Sequence, residues 1–155
     1  MAIEFSVTRT LPGKPERVFG ALTDLDAASQ WMPGYQRIEK LTEGSFAVGT
    51  EWRETRKMFG KDATEQFEVT ALEPPRRIGL RVDGSKGTMG KGEFLFEYLL
   101  EPSGADTEVT MNGRIEGLGP IGGLLFKLLG GQFEKAVAKD LDALAAHLRA
   151  GEAGG

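Results

Sequence analysis

Residues 88–116, TMGKGEFLFEYLLEPSGADTEVTMNGRIE, contain two stretches in which apolar side chains occupy every second position, as Phe94 does in the first. Successive side chains of a strand point to opposite faces of a sheet, so this period of two predicts strands at about 88–101 and 105–116. A turn at 102–104 (PSG) separates them. Because so short a connection cannot cross over the sheet, the two strands are predicted to pair antiparallel.

The same alternation extends towards the N-terminus, with glycine and proline clusters marking the turns. Short spacings again favour antiparallel neighbours, with one apolar and one solvated face. On the 62–72 segment we assign Phe67, Val69 and Ala71 to one face together with Ala63 and Glu65. The additional predicted strands are a first strand around residues 3–7 and then 35–43, 49–58, 62–72 and 76–83.

Helical patterns flank these strands. Pro15 fits the first turn of a short helix, and a second short helix is predicted to end near Gln30. After residues 117–120 (GLGP), apolar side chains recur every three or four positions, which predicts a C-terminal helix of about 28 residues and roughly 42 Å. Two adjacent glycines at 130–131 predict a bend or break within it. The apolar stripe consists of Ile121, Leu124, Leu125, Leu128, Phe133, Val137, Leu141, Leu144 and Leu148.

Composition excludes several classes of site. The chain of 155 residues has no cysteine and a single histidine, His147, which removes disulfides, thiolate metal sites and cysteine nucleophiles and argues against Ser-His and multi-histidine sites. A net charge of −4 disfavours nucleic acid as a partner. We therefore predict no metal and no cofactor.

The size and the lack of a linker predict one domain at 1–149 followed by a flexible tail at 150–155. The N-terminal segment lacks the continuous apolar stretch of a signal peptide, and the most apolar run, 118–131, is too short to span a bilayer. These features predict a cytoplasmic protein without integral membrane association. No heptad pattern decides between a monomer and a homodimer.

These elements predict an α+β architecture in which a strongly curved antiparallel sheet of about seven strands wraps around the long C-terminal helix. Two short helices follow the first strand. A twisted sheet rarely closes tightly along one helix, so we expect a cavity between them, near the short helices. The predicted ligand-binding side chains are Trp31, Tyr35, Trp52, Glu54, Arg56, Phe67, Phe96, Met111, Leu125 and Leu128. An alternative is that most of the aromatic side chains simply fill the core.

Glu54 and Arg56 lie two positions apart on one predicted strand face, about 6.6–6.8 Å apart along it. In an apolar cavity this pair could anchor a polar ligand head, or Glu54 could act as a base; no other catalytic residue is indicated. The alternative is a structural ion-pair ladder with Glu65 on the neighbouring strand. Alternation favours solvent exposure of Arg81 and Asn112.

Two further features favour structural roles. His147 is predicted in the last turn of the C-terminal helix, where a protonated imidazole complements the helix dipole. Residues 85–92 (SKGTMGKG) form a glycine-rich loop that lacks the context of a phosphate-binding loop. This loop could form a lid over the cavity, or it could simply be a loose connection within a hairpin; the sequence does not decide between the two.

Several motifs together resemble the START/polyketide-cyclase superfamily, also called SRPBCC, which includes birch-pollen-allergen-like proteins. They cover about residues 3–149 in the order expected for that family. The matching segments are 15–19 (PERVF), 31–34 (WMPG), 49–52 (GTEW), 69–72 (VTAL) and 73–78 (EPPRRI), with the C-terminal helix. The resemblance implies the helix-grip fold and an internal cavity for a hydrophobic or amphipathic small molecule, lipid-like or polyketide-like.

The resemblance leaves the function open, because one scaffold hosts many unrelated sites. The leading expectation is binding or carriage of such a ligand. The alternatives are a polyketide cyclase, aromatase or dehydrase acting on it, and a co-chaperone-like interaction module that uses the outer face of the sheet.

Overall fold

A computed structural model describes residues 2–128 and 131–154 of the chain. Seven strands and three α-helices form the fold, with a short 3-10 helix at Leu25–Gln30 and another at Gly84–Lys86. The elements are β1 (Ile3–Leu11), α1 (Pro15–Thr23), β2 (Tyr35–Lys40), β3 (Glu51–Met58), β4 (Lys61–Glu73), β5 (Arg77–Asp83), β6 (Glu93–Ser103), β7 (Asp106–Glu116), α2 (Gly119–Leu128) and α3 (Gln132–Gly154).

The strands form one sheet in the order β1-β7-β6-β5-β4-β3-β2, and every neighbouring pair is antiparallel. Strand β1 does not pair with β2, the next strand in the sequence, because the two lie at opposite edges of the sheet. Strand β1 pairs with β7 instead. The predicted fold class, a helix-grip arrangement of sheet and C-terminal helix, is confirmed. The 88–101 strand is shorter than predicted, because β6 begins only at Glu93 and the glycine-rich residues before it form a loop.

Helix α3 closes one half of the sheet. Leu141, Leu144 and Leu148 lie on one helical face and are buried against Leu11 and Val109, in a core that also includes α1. The Thr107 hydroxyl, fully buried beside them, donates a hydrogen bond of 2.8 Å to the carbonyl of Gly13. This end of the molecule is therefore packed solid, and any internal space lies towards the other end of α3.

The predicted single C-terminal helix is two helices. Helix α2 ends at Leu128 and α3 begins at Gln132, which confirms the interruption predicted at the glycine pair, although Gly130 itself lies outside the described residues. Helix α2 buries Gly123 and Phe126, whereas its leucines, Leu124, Leu125 and Leu128, are exposed. The part of the apolar stripe on α2 was therefore wrongly assigned to the core.

The end of α3 also differs from the prediction. The helix continues to Gly154, so the segment predicted as a flexible tail is helical over its described residues. Arg17 fastens it to α1 by donating hydrogen bonds to the Leu148 carbonyl at 2.6 Å and to the Glu152 carboxylate at 3.0 Å. As a result His147, half-buried, lies inside α3 and not in its last turn.

A bulge corrects one face assignment on β4. The pairing with β5 shifts between Val69 and Ala71. Beyond this point Leu72 pairs with Ile78 and packs against the core, which turns Ala71 to the outer face beside Gly79. Strict alternation predicts that Ala71 points inward. A bulge adds one residue to the strand, however, and so inverts the face of every side chain that follows it.

None of the helices within the described ranges has the length and apolar character needed to cross a membrane.

Two glycines predict opposite effects of alanine. In Gly113→Ala the new Cβ overlaps the buried Phe5 ring, so we expect a loss of about 1–3 kcal/mol in the free energy of unfolding. Gly20, exposed on α1, has open space around it, and Gly20→Ala is expected to add up to about 1 kcal/mol through helix propensity. Urea denaturation measures both variants, and a neutral Gly113→Ala would contradict the packing of Phe5.

Candidate functional site

A pocket of about 420 Å³ lies between the inner face of the sheet and the N-terminal half of α3. Its walls come from strands β3 to β7, from Phe133, Val137 and Asp140 of α3, and from the segment around the first 3-10 helix. The sheet supplies the floor because every second residue of each strand points inward. The aromatic side chains of the wall are Trp31, Phe46, Trp52, Phe67, Phe94, Phe96, Tyr98, Phe133 and, at the exposed tip of the β3–β4 hairpin, Phe59.

The aromatic wall is ordered by cross-strand pairing. Trp52 of β3 lies opposite Phe67 of β4, and their rings stack at 5.2 Å between centroids with only 3° between the planes. Phe46, from the segment between β2 and β3, also packs against Trp52, with 5.8 Å between the ring centroids. Such contacts fix the rings in place, so this part of the wall is preformed.

Arg56 is the centre of a polar cluster in this apolar setting. Its Nη1 and Nη2 atoms donate hydrogen bonds to the two carboxylate oxygens of Asp140 at 2.9 and 2.6 Å. Its Nε and Nη2 atoms also donate to the carbonyl of Pro33, at 3.1 and 2.9 Å. The guanidinium therefore joins β3 to α3 and to the loop before β2. The sequence interpretation, which paired Arg56 with a ligand head or with a cross-strand ladder, missed this partner.

Glu54 is buried with only 8% of its surface exposed, and its hydrogen bonding is incomplete. One carboxylate oxygen accepts a hydrogen bond from Trp52 Nε1 at a long 3.4 Å, and the other lies 3.8 Å from Arg56 Nη1. Burial raises the pKa of Glu54 from 4.5 to about 7, although Arg56 and the Trp52 hydrogen bond pull it down. Nearby Asp140 raises it further. Glu54 is thus a carboxyl group that gains and loses its proton near neutrality.

Glu65 lies directly opposite Glu54 on the neighbouring strand. One of its oxygens accepts a hydrogen bond from the Met89 amide at 3.3 Å, and the other is buried beneath Gly87 without a partner among the described residues. Burial raises the pKa of Glu65 to about 7. The Glu54–Arg56 contact of the predicted ladder is present at 3.8 Å, but Glu65 does not join it, because Glu65 bonds to the loop and Arg56 pairs with Asp140 of the helix.

The glycine-rich loop between β5 and β6 covers one side of the pocket. Thr88 and Met89 line the opening, and Thr88 is tied to β4 by two hydrogen bonds of 2.8 Å with the backbone of Thr64. Gly87 allows the loop to approach so closely that a Cβ at this position would overlap the Glu65 carboxylate. The loop is thus fastened over the pocket and is not slack.

Most of the predicted site residues meet in this pocket. They are Trp31, Trp52, Glu54, Arg56, Phe67, Phe96 and Met111. Tyr35 is absent from the lining, although on the edge strand β2 it pairs with Arg56 of β3. Leu125 and Leu128 are also wrong as lining residues, since they lie on the outer face of α2 and are 59% and 73% exposed. Arg81 and Asn112 lie on the outer face of the sheet, as predicted, in hydrogen bonds with Glu93 and Ser6.

Sequence reasoning missed Asp140 and Tyr98. Asp140 follows Val137 by three residues and precedes Leu144 by four, so it occupies the apolar phase of α3. A carboxylate in that phase is the signal that could have revealed it. Tyr98 lines the pocket on the same face of β6 as Phe94 and Phe96, and burial and the nearby carboxylates of Asp140 and Glu54 raise its pKa well above its ordinary value. Its hydroxyl therefore stays protonated.

Comparisons with known proteins agree with this architecture. A family model described as polyketide cyclase / dehydrase and lipid transport matches residues 2–149. No curated protein matches the chain.

Solved structures share the fold over nearly the whole chain. The protein TTHA0849 from Thermus thermophilus is 22% identical with a TM-score of 0.78, over 96% of this chain and 99% of that one. A START superfamily protein from Mycobacterium smegmatis is 18% identical with a TM-score of 0.74, over 94% and 98%. Ginseng major latex-like protein 151 is 10% identical with a TM-score of 0.78, over 94% and 97%. By the family model, the chain belongs to the polyketide cyclase / dehydrase and lipid transport family.

Proposed function

We propose that this protein binds a hydrophobic or amphipathic small molecule in the pocket between its sheet and α3. The observation that carries the proposal is a pocket of about 420 Å³ whose wall is mostly aromatic and aliphatic, with a few buried polar groups at one side. Ligand sites commonly measure about 300–1,000 Å³ and have this composition. The family description, which includes lipid transport, supports the same class of ligand.

The polar groups determine how such a ligand is oriented. An apolar body covers the aromatic wall and is driven in by the removal of apolar surface from water. A polar end that faced this wall would lose its hydrogen bonds to water, so it favours the side where Glu54, Arg56 and Tyr98 lie. We therefore infer an amphipathic ligand with its polar end near this cluster.

Filling the pocket tests the proposal. Ala136 lines the pocket from α3, and Ala136→Trp places an indole in the space where the ligand would lie. We expect at least about a tenfold loss of affinity for a neutral naphthylamine dye, measured by fluorescence titration. Ala146→Trp, on an exposed position of the same helix, is the matched control and is expected to bind as the unmodified protein does.

Native mass spectrometry of freshly purified protein complements this titration. A stoichiometric apolar adduct that is present in the unmodified protein and absent from Ala136→Trp supports the pocket as its site. Equal dye affinity in both tryptophan variants would contradict it. The same spectrum reports whether the protein is a monomer or a homodimer.

A second candidate function is catalysis of cyclisation, aromatisation or dehydration of a bound polyketide-like ligand. The observation that favours it is Glu54, a pocket carboxyl group whose pKa of about 7 suits general acid–base chemistry at neutral pH. Glu54→Gln keeps the shape and removes the proton transfer. If a panel of polyketide-like substrates yields a new product, the rate is expected to fall about 100-fold or more in this variant with binding retained. Unchanged turnover would contradict a catalytic Glu54.

A further inference from the structure

The charges inside the pocket are unbalanced. The interior lining contains one guanidinium, that of Arg56, and three carboxyl groups, those of Glu54, Glu65 and Asp140. Arg53 does not line the pocket, although its charge lowers the pKa of Glu65 from outside it. Nη1 and Nη2 of Arg56 donate to the two carboxylate oxygens of Asp140 in a bidentate pair, and Nε and Nη2 also donate to the Pro33 carbonyl. The side chains of this pair are only 13% and 22% exposed. Four of the five N–H groups of Arg56 are thus taken, and Nη1, which carries the fifth, lies 3.8 Å from a carboxylate oxygen of Glu54, so Arg56 has no uncompensated charge to offer to an anionic ligand.

The remaining titratable groups of the lining do not change this balance. Tyr98 is neutral. Asp24, Lys61 and Asp62 also line the pocket, and Lys61 and Asp62 are both exposed at the start of β4. The ammonium group of Lys61 is therefore solvated, and the adjacent carboxylate of Asp62 offsets its charge. The interior is neutral when Glu54 and Glu65 are protonated and negative when they are ionised, and it does not become positive near neutral pH.

Glu54 has acceptor capacity to spare. Its two contacts, at 3.4 Å from Trp52 Nε1 and 3.8 Å from Arg56 Nη1, are both longer than ordinary charge-assisted hydrogen bonds. A ligand group that donates a hydrogen bond would complete the bonding of this buried carboxyl. A ligand carboxylate would instead be desolvated beside a group of the same sign.

We propose that the pocket selects amphiphiles whose polar end is a hydrogen-bond donor, either a hydroxyl or a protonated amine, and rejects those that end in a carboxylate. The selection rests on the proposed function and concerns the same pocket. This selectivity follows from two observations. Asp140 neutralises the one guanidinium of the pocket lining, and the Glu54 carboxyl group can still accept hydrogen bonds from a ligand.

The selectivity is expected to vary with pH. The pKa values of Glu54 and Glu65 are both raised to about 7, so the interior becomes more negative as the pH increases through neutrality. Arg56 stays charged and Tyr98 stays protonated in this range. Affinity for a protonated amine therefore increases with pH, and the discrimination against a carboxylate increases with it.

Three amphiphiles with the same apolar chain test the proposal: decylamine, 1-decanol and decanoate. Their affinities are measured by displacement of the neutral dye N-phenyl-1-naphthylamine at about pH 8, where the amine is cationic and both glutamates are largely ionised. Decylamine is expected to bind at least about tenfold more tightly than decanoate, with 1-decanol between them. At about pH 5.5 the ratio of amine to carboxylate affinity is expected to fall several-fold.

Matched variants assign the effect to the pocket. Glu54→Gln removes one ionisable group at nearly constant shape. At about pH 8 it is expected to lower the ratio of decylamine affinity to decanoate affinity about tenfold. Glu51→Gln changes a carboxylate on the same strand that points to the opposite face, and its ratio is expected to match that of the unmodified protein. An equal drop in both variants would mean that overall charge, and not the pocket, sets the preference.

The outcomes separate the two proposals. If the dye binds and decanoate binds as tightly as decylamine or more tightly, the proposed selectivity is overturned. The proposed function is then left intact. Failure of the dye and of all three amphiphiles to bind overturns the proposed function, and the selectivity falls with it.

Discussion

Asp140→Ala is expected to lower the free energy of unfolding by about 3–5 kcal/mol, because it leaves the Arg56 guanidinium buried without its counter-charge. Both partners of this bidentate pair are largely shielded from water, at 13% and 22% exposure. Neither the Pro33 carbonyl nor the distant oxygen of Glu54 at 3.8 Å replaces the lost carboxylate. Urea denaturation followed by circular dichroism measures the effect.

The chain offers a matched control two residues along the same helix. Asp142 pairs with Arg9 at 3.1 Å, but the two side chains are 63% and 44% exposed, so Asp142→Ala is expected to change the stability by less than about 1 kcal/mol. A double variant, Arg56→Met with Asp140→Ala, removes both charges and is expected to recover much of the lost stability. Equal effects of Asp140→Ala and Asp142→Ala would show that water reaches Arg56.

The second large effect is a pH dependence of the stability that Glu54→Gln reduces. Because the pKa of Glu54 is raised from 4.5 to about 7 in the folded protein, its contribution to stability is fully present below pH 4.5 and is lost as the pH rises to about 7. The loss attributable to Glu54 is about 3 kcal/mol over this window. Physically, the folded protein must either keep the proton or hold an ionised carboxylate in an apolar pocket.

Unfolding free energies measured at half-unit pH steps test this expectation. Glu54→Gln is expected to remove about half of the slope between pH 4.5 and 7, and the other half belongs to Glu65, whose pKa is also raised to about 7. Glu51→Gln, on the outer face of the same strand, is expected to retain the whole slope. A Glu54→Gln protein with an undiminished slope would show that Glu54 is ionised throughout this range in the folded state.

Much of the fold followed from periodicity alone. Alternation placed the strands of the sheet within a few residues of their observed bounds, because one face of each strand is buried and the other is not. The same parity correctly directed Trp52, Glu54 and Arg56 into one pocket with Phe67. Glycine and proline marked the turns for a local reason, since they restrict or free the backbone at their own positions.

Other features were beyond this kind of reasoning because they depend on where elements lie in space. The bulge at Val69–Ala71 inverted one face, and the interruption before α3 turned Leu125 and Leu128 away from the sheet. Neither change alters the local pattern of apolar residues. A periodicity read within one element carries no information about its orientation relative to the next.

The sequence by itself determined most of the strands and helices and most of the side chains that face inward, since these follow from local backbone preference and the burial of apolar surface. Only the tertiary structure decided what the inward polar groups do. It brought Asp140 of α3 to Arg56 of β3, and the loop amide of Met89 to Glu65. These partners lie far apart in the chain, and hydrogen bonding and desolvation act through distance in space, so the character of the pocket emerges only when the sheet and α3 have packed together.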